Sequence, residues 1–226
     1  MSMASREKPA DPRRPFPRLY LVTPQNPAGL ADRLTEALDA ADVAAVLLRL
    51  PPADERTRVN HAKALAPTVQ GKGAALLLDG YPDLAARAGA DGAHLSGVDA
   101  FMAALATLKP ARIAGCGRLA TRHDAMLAEH DVVGAGFGAD YVMFGEPDAT
   151  GRRPAFDAVA ERVAWWAQLF EVPCVGFAAS LEELEPLAAA GADFIALGDC
   201  IFADARGGAA AMADAARRLA AAETVA

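Results

Sequence analysis

Gly89-Ala90-Asp91-Gly92-Ala93-His94-Leu95 lies at the fourth of eight short apolar runs that punctuate this chain at regular intervals. The runs are Arg18 to Pro24, Val43 to Leu50, Ala74 to Gly80, Gly92 to Ser96, Arg112 to Gly117, Tyr141 to Gly145, Pro173 to Ala178 and Phe194 to Gly198. A beat of roughly 25 residues, apolar then amphipathic, is what a strand–helix unit needs, and eight such units close a parallel barrel. Most runs are near-continuous Val, Leu, Ile and Ala rather than alternating, as expected of strands covered on both faces. The fold class read from this pattern is α/β, a single (β/α)8 TIM barrel.

The segments between the runs have apolar stripes. Gly29 to Ala41 puts Leu30, Leu34, Ala37, Leu38 and Ala41 on one face of a helix. Asp54 stands before a second helix, running to Val69, where it is free to cap. Ser180 with Glu183 has the spacing of a capping box opening a helix over Leu181 to Ala190. Pro154 to Phe170 carries Trp165 and Trp166 side by side. Adjacent residues on a helix point about 100° apart, so either one ring faces a partner, as in a homodimer, or the buried face is wide. Gly207 to Ala222 closes the chain as an Ala-rich helix.

Composition bounds the function. The chain has 226 residues, is 53% hydrophobic and carries a net charge of -7, which fits one barrel domain over residues 18–226 and argues against nucleic acid as a partner. Residues 1–17, with four prolines and several charges, read as a disordered arm without a targeting signal. No run is long enough to span a membrane. Cys116, Cys174 and Cys200 lack a paired metal spacing, which points to buried thiols in a reduced, cytoplasmic protein.

In a parallel barrel the chemistry sits at the C-terminal ends of the strands. Those positions are Thr23 and Pro24, Arg49, Asp79, Ser96 with Asp99, Gly117 with Arg118, Glu146 with Asp148, Ala178 with Ser180, and Gly198 with Asp199. Arg49 ends an apolar strand and needs an anion, either a neighbouring carboxylate or a ligand phosphate. Asp79 and Asp99 follow adjacent strands, so they either share a divalent cation or Asp99 caps the helix that follows it. Thr150-Gly151-Arg152-Arg153 is either a loop that closes over a pyrophosphate or an ordinary solvated one. His94, inside a strand, reads as structural.

Leu19 to Pro24, Gly89 to Leu95, Ala139 to Gly145 and Gly191-Ala192-Asp193, in that order and at barrel spacing, resemble thiamine phosphate synthase and the related thiazole tautomerase. The resemblance runs from about Arg18 to Phe202. It implies a transferase of thiamine biosynthesis that joins a pyrimidine diphosphate to a thiazole phosphate, with magnesium on the departing pyrophosphate. Carried over by position, it implies Arg49 and Arg153 as catalytic grips on an anion and Asp79 and Asp99 as metal ligands. Gly117, Thr150, Arg152, Ala178, Ala179, Gly198 and Asp199 complete the implied substrate contacts. The pattern also departs from the family. The Gln-x-Arg-x-Lys grip reads Leu47, Arg49 and Pro51, and the metal-binding Asp of an Asn-Asp pair aligns with Gly80. A serine after the fifth strand is Gly117, a Gly-Gly is Ala178-Ala179, and a phosphate-holding serine is Asp199. These departures predict weak magnesium binding and altered or lost synthase activity on a small, phosphorylated ligand. The alternatives are a non-catalytic barrel binding a thiamine-related or other heterocycle, and an interaction protein.

Overall fold

A computed structural model describes residues 17–26, 28–129, 137–148 and 150–223. The expected arm falls almost wholly outside the described residues. Eight parallel strands close on themselves in chain order: β1 (Arg18–Val22), β2 (Val43–Leu48), β3 (Ala75–Asp79), β4 (Gly92–Ser96), β5 (Ile113–Gly117), β6 (Tyr141–Phe144), β7 (Cys174–Ala178) and β8 (Phe194–Leu197), with β8 pairing back to β1. The helices between them are α1 (Leu30–Ala40), α2 (Glu55–Gln70), α3 (Pro82–Ala88), α4 (Val98–Leu108), α5 (Arg122–Glu129), α6 (Phe156–Leu169), α7 (Leu184–Ala189) and α8 (Asp199–Phe202), and α9 (Gly208–Glu223) follows. Each strand lies within two residues of the run that predicted it.

The repeated Gly-Ala-Asp phrase has a structural cause. Gly89 and Gly191 take φ of 71° and 91°, which ends the preceding helix at little cost for a residue without a Cβ. Ala90 and Ala192 are buried beside them. Asp91 then accepts from the backbone N–H of Leu76 at 2.7 Å, and Asp193 accepts from that of Cys174 at 2.8 Å. Asp140 does the same for Ala114 at 2.7 Å. Each aspartate before β4, β6 or β8 thus satisfies an N–H at the start of the neighbouring odd-numbered strand, where the sheet ladder supplies no partner.

Strand parity separates two cores. Leu19, Leu21, Val46, Leu48, Leu76 and Leu78 face the helices. Tyr20, Val22, Leu47, Leu77, Tyr141, Met143, Val175 and Phe177 fill the barrel. The same parity carries Arg49 and Asp79 inward at the upper rim, because Ala45 and Leu47 register with Ala75 and Leu77.

Some local expectations are corrected. Asp54 caps α2 as expected, accepting from Thr57 N–H at 2.8 Å. The Ser180–Glu183 capping box does not form. Ser180 makes no cap bond, and Glu183 instead accepts from the backbone N–H of Ala179 at 2.8 Å and pairs with Arg153. Arg153 draws the carboxylate because a charged partner is the stronger one. Trp166 is fully buried and donates to Val172 C=O at 2.7 Å, while Trp165 is half-buried between Phe170 and the Arg122 guanidinium. Cys116 and Cys174 are buried and Cys200 half-buried, and burial pushes the Cys116 thiol up to about 12.

Candidate functional site

Thr23, fully buried at the end of β1, accepts from the backbone N–H of Arg49 at 3.0 Å and fixes where that side chain enters the mouth. Its anion is a neighbouring carboxylate, since Arg49 Nε lies 3.4 Å from Asp79 Oδ2 with both side chains mostly covered. Asp79 is therefore spoken for by an arginine. Asp99 lies exposed in the first turn of α4, where Gly97 is the capping residue, and makes no cap bond, so its capping role is not realised. Among the described residues, no three His, Cys, Asp or Glu side chains gather as a metal cage. That leaves Asp79, paired with Arg49, and Asp99 as the two carboxylates that would hold magnesium, with a bound phosphate supplying further oxygens.

The loop after β6 is tied down by its own acid. Asp148 accepts from Thr150 N–H at 2.8 Å, from the Thr150 hydroxyl at 2.5 Å and from Arg152 N–H at 3.1 Å, with Arg152 Nε 3.5 Å away. These bonds hold the Asp148 carboxyl below its usual value. Arg153 pairs with Glu183 at 2.8 Å and donates to Phe177 C=O at 3.3 Å, so both loop arginines already have carboxylate partners. Ala178 is buried in β7, next to Ala179. Gly198 caps the short α8, and Asp199 is its exposed first residue.

Beside this rim lies a buried polar chain that sequence reasoning left unassembled. The Tyr20 and Tyr141 hydroxyls are 2.9 Å apart, and the Tyr141 hydroxyl is 2.9 Å from His94 Nδ1. His94 Nε2 is 2.9 Å from Glu146 Oε1, and Arg118 N–H donates to Glu146 Oε2 at 2.8 Å. His94 is fully buried and the Glu146 side chain 7% exposed. Burial opposes charge on both members. For His94 the charge and hydrogen bond of Glu146 outweigh it and raise the imidazole above its ordinary value. For Glu146 the His94 charge and hydrogen bond, with Arg118, lower the carboxyl. Burial raises both tyrosines. Two glycines make the room: a Cβ on Gly115 would overlap the Tyr141 ring, and one on Gly117 would overlap Glu146 Oε2 and lie 2.5 Å from His94 Nε2.

Glu146 also lines a cavity of about 580 Å³ between the β5 and β6 ends, together with Arg118, Arg152, Arg153, Arg162, Asp148 and Phe144. The volume is that of a small-molecule site. The signals for this region were present in the sequence: His94 has inward parity in β4, and Gly115 and Gly117 alternate on the inward face of β5.

The fold and the mouth define a parallel α/β barrel of the kind that places its ligand at the C-terminal ends of the strands. Residues 19–201 match the family model described as thiamine monophosphate synthase. The chain is 40% identical over 202 residues to a thiamine-phosphate synthase of Rhodospirillum centenum, covering 87% of this chain and 95% of that one. It is 33% identical over 210 residues to that of Hyphomonas neptunium, covering 88% and 92%. Among solved structures, a thiamine phosphate pyrophosphorylase from Pyrococcus furiosus superposes with a TM-score of 0.71 at 20% identity, covering 92% of this chain and 96% of that one. A 3-hexulose-6-phosphate synthase from Salmonella typhimurium superposes at 0.66 with 18% identity, covering 91% and 99%. This chain belongs to the thiamine monophosphate synthase family. No helix among the described residues is long and apolar enough to cross a membrane.

Proposed function

We propose that this chain holds a small phosphorylated molecule in the arginine-lined cavity beside β5 and β6. We propose further that it is a transferase of the thiamine-phosphate synthase type with altered substrates, slow on the standard pair. The observation that carries this reading is the pairing of the mouth's arginines with its own carboxylates, Arg49 with Asp79 and Arg153 with Glu183. Synthase chemistry asks the mouth to stabilise a departing pyrophosphate, on which negative charge accumulates in the transition state. Here each of these arginines must release a carboxylate before it can serve that charge. Glu146 adds a negative group where the resemblance places a neutral serine, above Gly117. Asp199 adds another at α8.

What remains suited to an anion is the β5–β6 side. Arg118 and Arg162 line the cavity, Arg162 steadied by Leu119 C=O at 2.7 Å, and no described residue makes an ion pair with either guanidinium. A single phosphate at this place gains charge-assisted bonds, each worth about 1.5–3 kcal/mol. The test is titration of inorganic phosphate into the protein by calorimetry. Binding that weakens about tenfold in both Arg118→Ala and Arg153→Ala supports the reading; binding unchanged in both variants refutes it.

A further inference from the structure

Arg118 holds a backbone conformation that its side chain disfavours. Its φ is 50°, in the left-handed region, which among the described non-glycine residues it shares with Tyr81 alone. Such a conformation persists only where the surroundings enforce it. Here both polar groups of the peptide joining Gly117 to Arg118 are held. Its C=O accepts from Gly97 N–H at 2.8 Å, and its N–H donates to Glu146 Oε2 at 2.8 Å. One residue on, the Leu119 side chain is buried and its C=O accepts from Arg162 at 2.7 Å. Arg118 is the link between these fixed points, and its exposed side chain lines the cavity.

The bond to Glu146 reaches across from the loop after β6, and Glu146 is itself fixed. Its Oε1 lies 2.9 Å from Nε2 of the fully buried His94, which is held in turn by Tyr141. The missing Cβ of Gly117 leaves room for the carboxylate. Its negative charge does not stand alone, because the pairing raises the His94 imidazole and positive charge there offsets it. What Glu146 gives the cavity is therefore geometry at Arg118 rather than charge. We propose that Glu146 is a positioning residue: its bond to the Arg118 N–H holds residue 118 in the left-handed conformation that places the guanidinium for a phosphate group in the cavity. The inference rests on the reading of the cavity as a phosphate site and adds how Arg118 comes to be placed there. The strain is met on folding, so a ligand does not have to impose it on binding. With the bond cut, residue 118 relaxes and phosphate must restore the strained form, which weakens binding about tenfold.

The experiment compares variants of equal charge at position 146. Glutamine presents an amide oxygen to the Arg118 N–H and its NH2 to a neutral His94 Nε2, whereas methionine fills a similar volume with only a weak acceptor. Inorganic phosphate is titrated calorimetrically, without metal, into the parent, Glu146→Gln, Glu146→Met, Arg118→Gly and the two double variants. Glu146→Gln binds about tenfold more tightly than Glu146→Met, and the difference vanishes in the Arg118→Gly background, where no guanidinium remains to be placed. Glu146→Leu replaces Glu146→Met if that protein does not fold. Urea denaturation reads the strain without a ligand: Arg118→Gly has a higher midpoint than Arg118→Ala, which also lacks the guanidinium but keeps a Cβ at φ 50°. Equal binding by the two position-146 variants, a difference between them that persists in full without Arg118, or an Arg118→Gly midpoint below that of Arg118→Ala overturns the proposal. If the position-146 variants bind equally while Arg118→Gly weakens binding, only the positioning role fails and the phosphate cavity stands. If no protein in the set binds phosphate at millimolar concentration, the cavity reading fails and this inference with it.

Discussion

Gly117→Ala puts one methyl group where the Glu146 carboxylate and the His94 ring meet. In a strand a Gly→Ala change ordinarily stabilises, by about 0.4–1 kcal/mol, because the unfolded chain loses freedom. Here the sign is reversed by contact. The new Cβ overlaps Glu146 Oε2 and lies 2.5 Å from His94 Nε2 and 2.7 Å from Glu146 Cδ. The carboxylate is the end of a flexible side chain beside an open cavity, so it yields before the backbone does. In yielding it gives up its bonds to His94 and to Arg118 N–H. Each charge-assisted bond is worth about 1.5–3 kcal/mol, part of which water in the cavity returns, leaving a net cost of about 2–4 kcal/mol. At this chain length that lowers the melting temperature by roughly 4–16 °C. Urea denaturation of the parent, Gly117→Ala, Glu146→Ala and the double variant gives the coupling directly. With Glu146 removed, the part of the Gly117→Ala penalty owed to the carboxylate disappears, and the part owed to the buried His94 ring, 2.5 Å from the new Cβ, remains. A Gly117→Ala protein within about 0.5 kcal/mol of the parent, or a penalty that persists in full without Glu146, refutes the reasoning.

The other expectations concern the same pair, the strand staples and the metal. Glu146, lowered in the folded protein, stabilises above its unfolded value of 4.5 and loses that contribution as pH falls through the folded value. His94, raised in the folded protein, stabilises below its unfolded value of 6.5 and loses that contribution as pH rises through the folded value. The difference in unfolding free energy between the parent and Glu146→Gln is therefore largest between pH 4.5 and 6.5 and shrinks on both sides; a difference that grows into alkaline pH contradicts this assignment. Asp91→Ala strands the Leu76 N–H and costs about 1–3 kcal/mol in urea denaturation, whereas Asp91→Asn keeps an acceptor and costs less; equal losses show that the staple is not what matters. Magnesium titrated into the protein alone shows no tight site by calorimetry, since Asp79 is engaged by Arg49; a micromolar site abolished by Asp99→Ala shows the acid pair to be a true metal centre.

The barrel was legible because its signals are repeated. A strand covered on both faces is written as a continuous apolar run, and eight of them at one spacing leave little else to build. The Gly-Ala-Asp phrase was legible as a recurrence, and its cause, an aspartate that serves an N–H of the preceding strand, needed the register of β3 with β4 and of β7 with β8. The Arg49–Asp79 pair was half legible: both residues continue the inward parity of their strands, yet a carboxylate and a phosphate answer the same need, and only the register selects the carboxylate. Glu146 was legible only as a position after the sixth strand, at the end where barrel chemistry sits, and nothing in the sequence joined it to His94. It follows Gly145 outside the strand pattern, and its partner His94 lies 52 positions earlier. What the sequence shows at Gly117 is a missing side chain, and the carboxylate that fills the gap comes from a different strand's loop. The Ser180–Glu183 box misled for a related reason, since a local motif yields when a distant arginine offers a stronger bond.

The central claim is that this mouth has exchanged the grip on a diphosphate for internal ion pairs and a resident carboxylate. Its most direct test is the initial rate of thiamine phosphate formation from the pyrimidine diphosphate and the thiazole phosphate. Magnesium is present and both substrates are saturating, and the Rhodospirillum centenum relative is assayed alongside under the same conditions. With three or four charge-assisted contacts replaced, the account predicts a rate lower by on the order of a thousandfold or more. A rate within about tenfold of the relative's contradicts it, because the paired arginines would then be releasing their carboxylates at little cost.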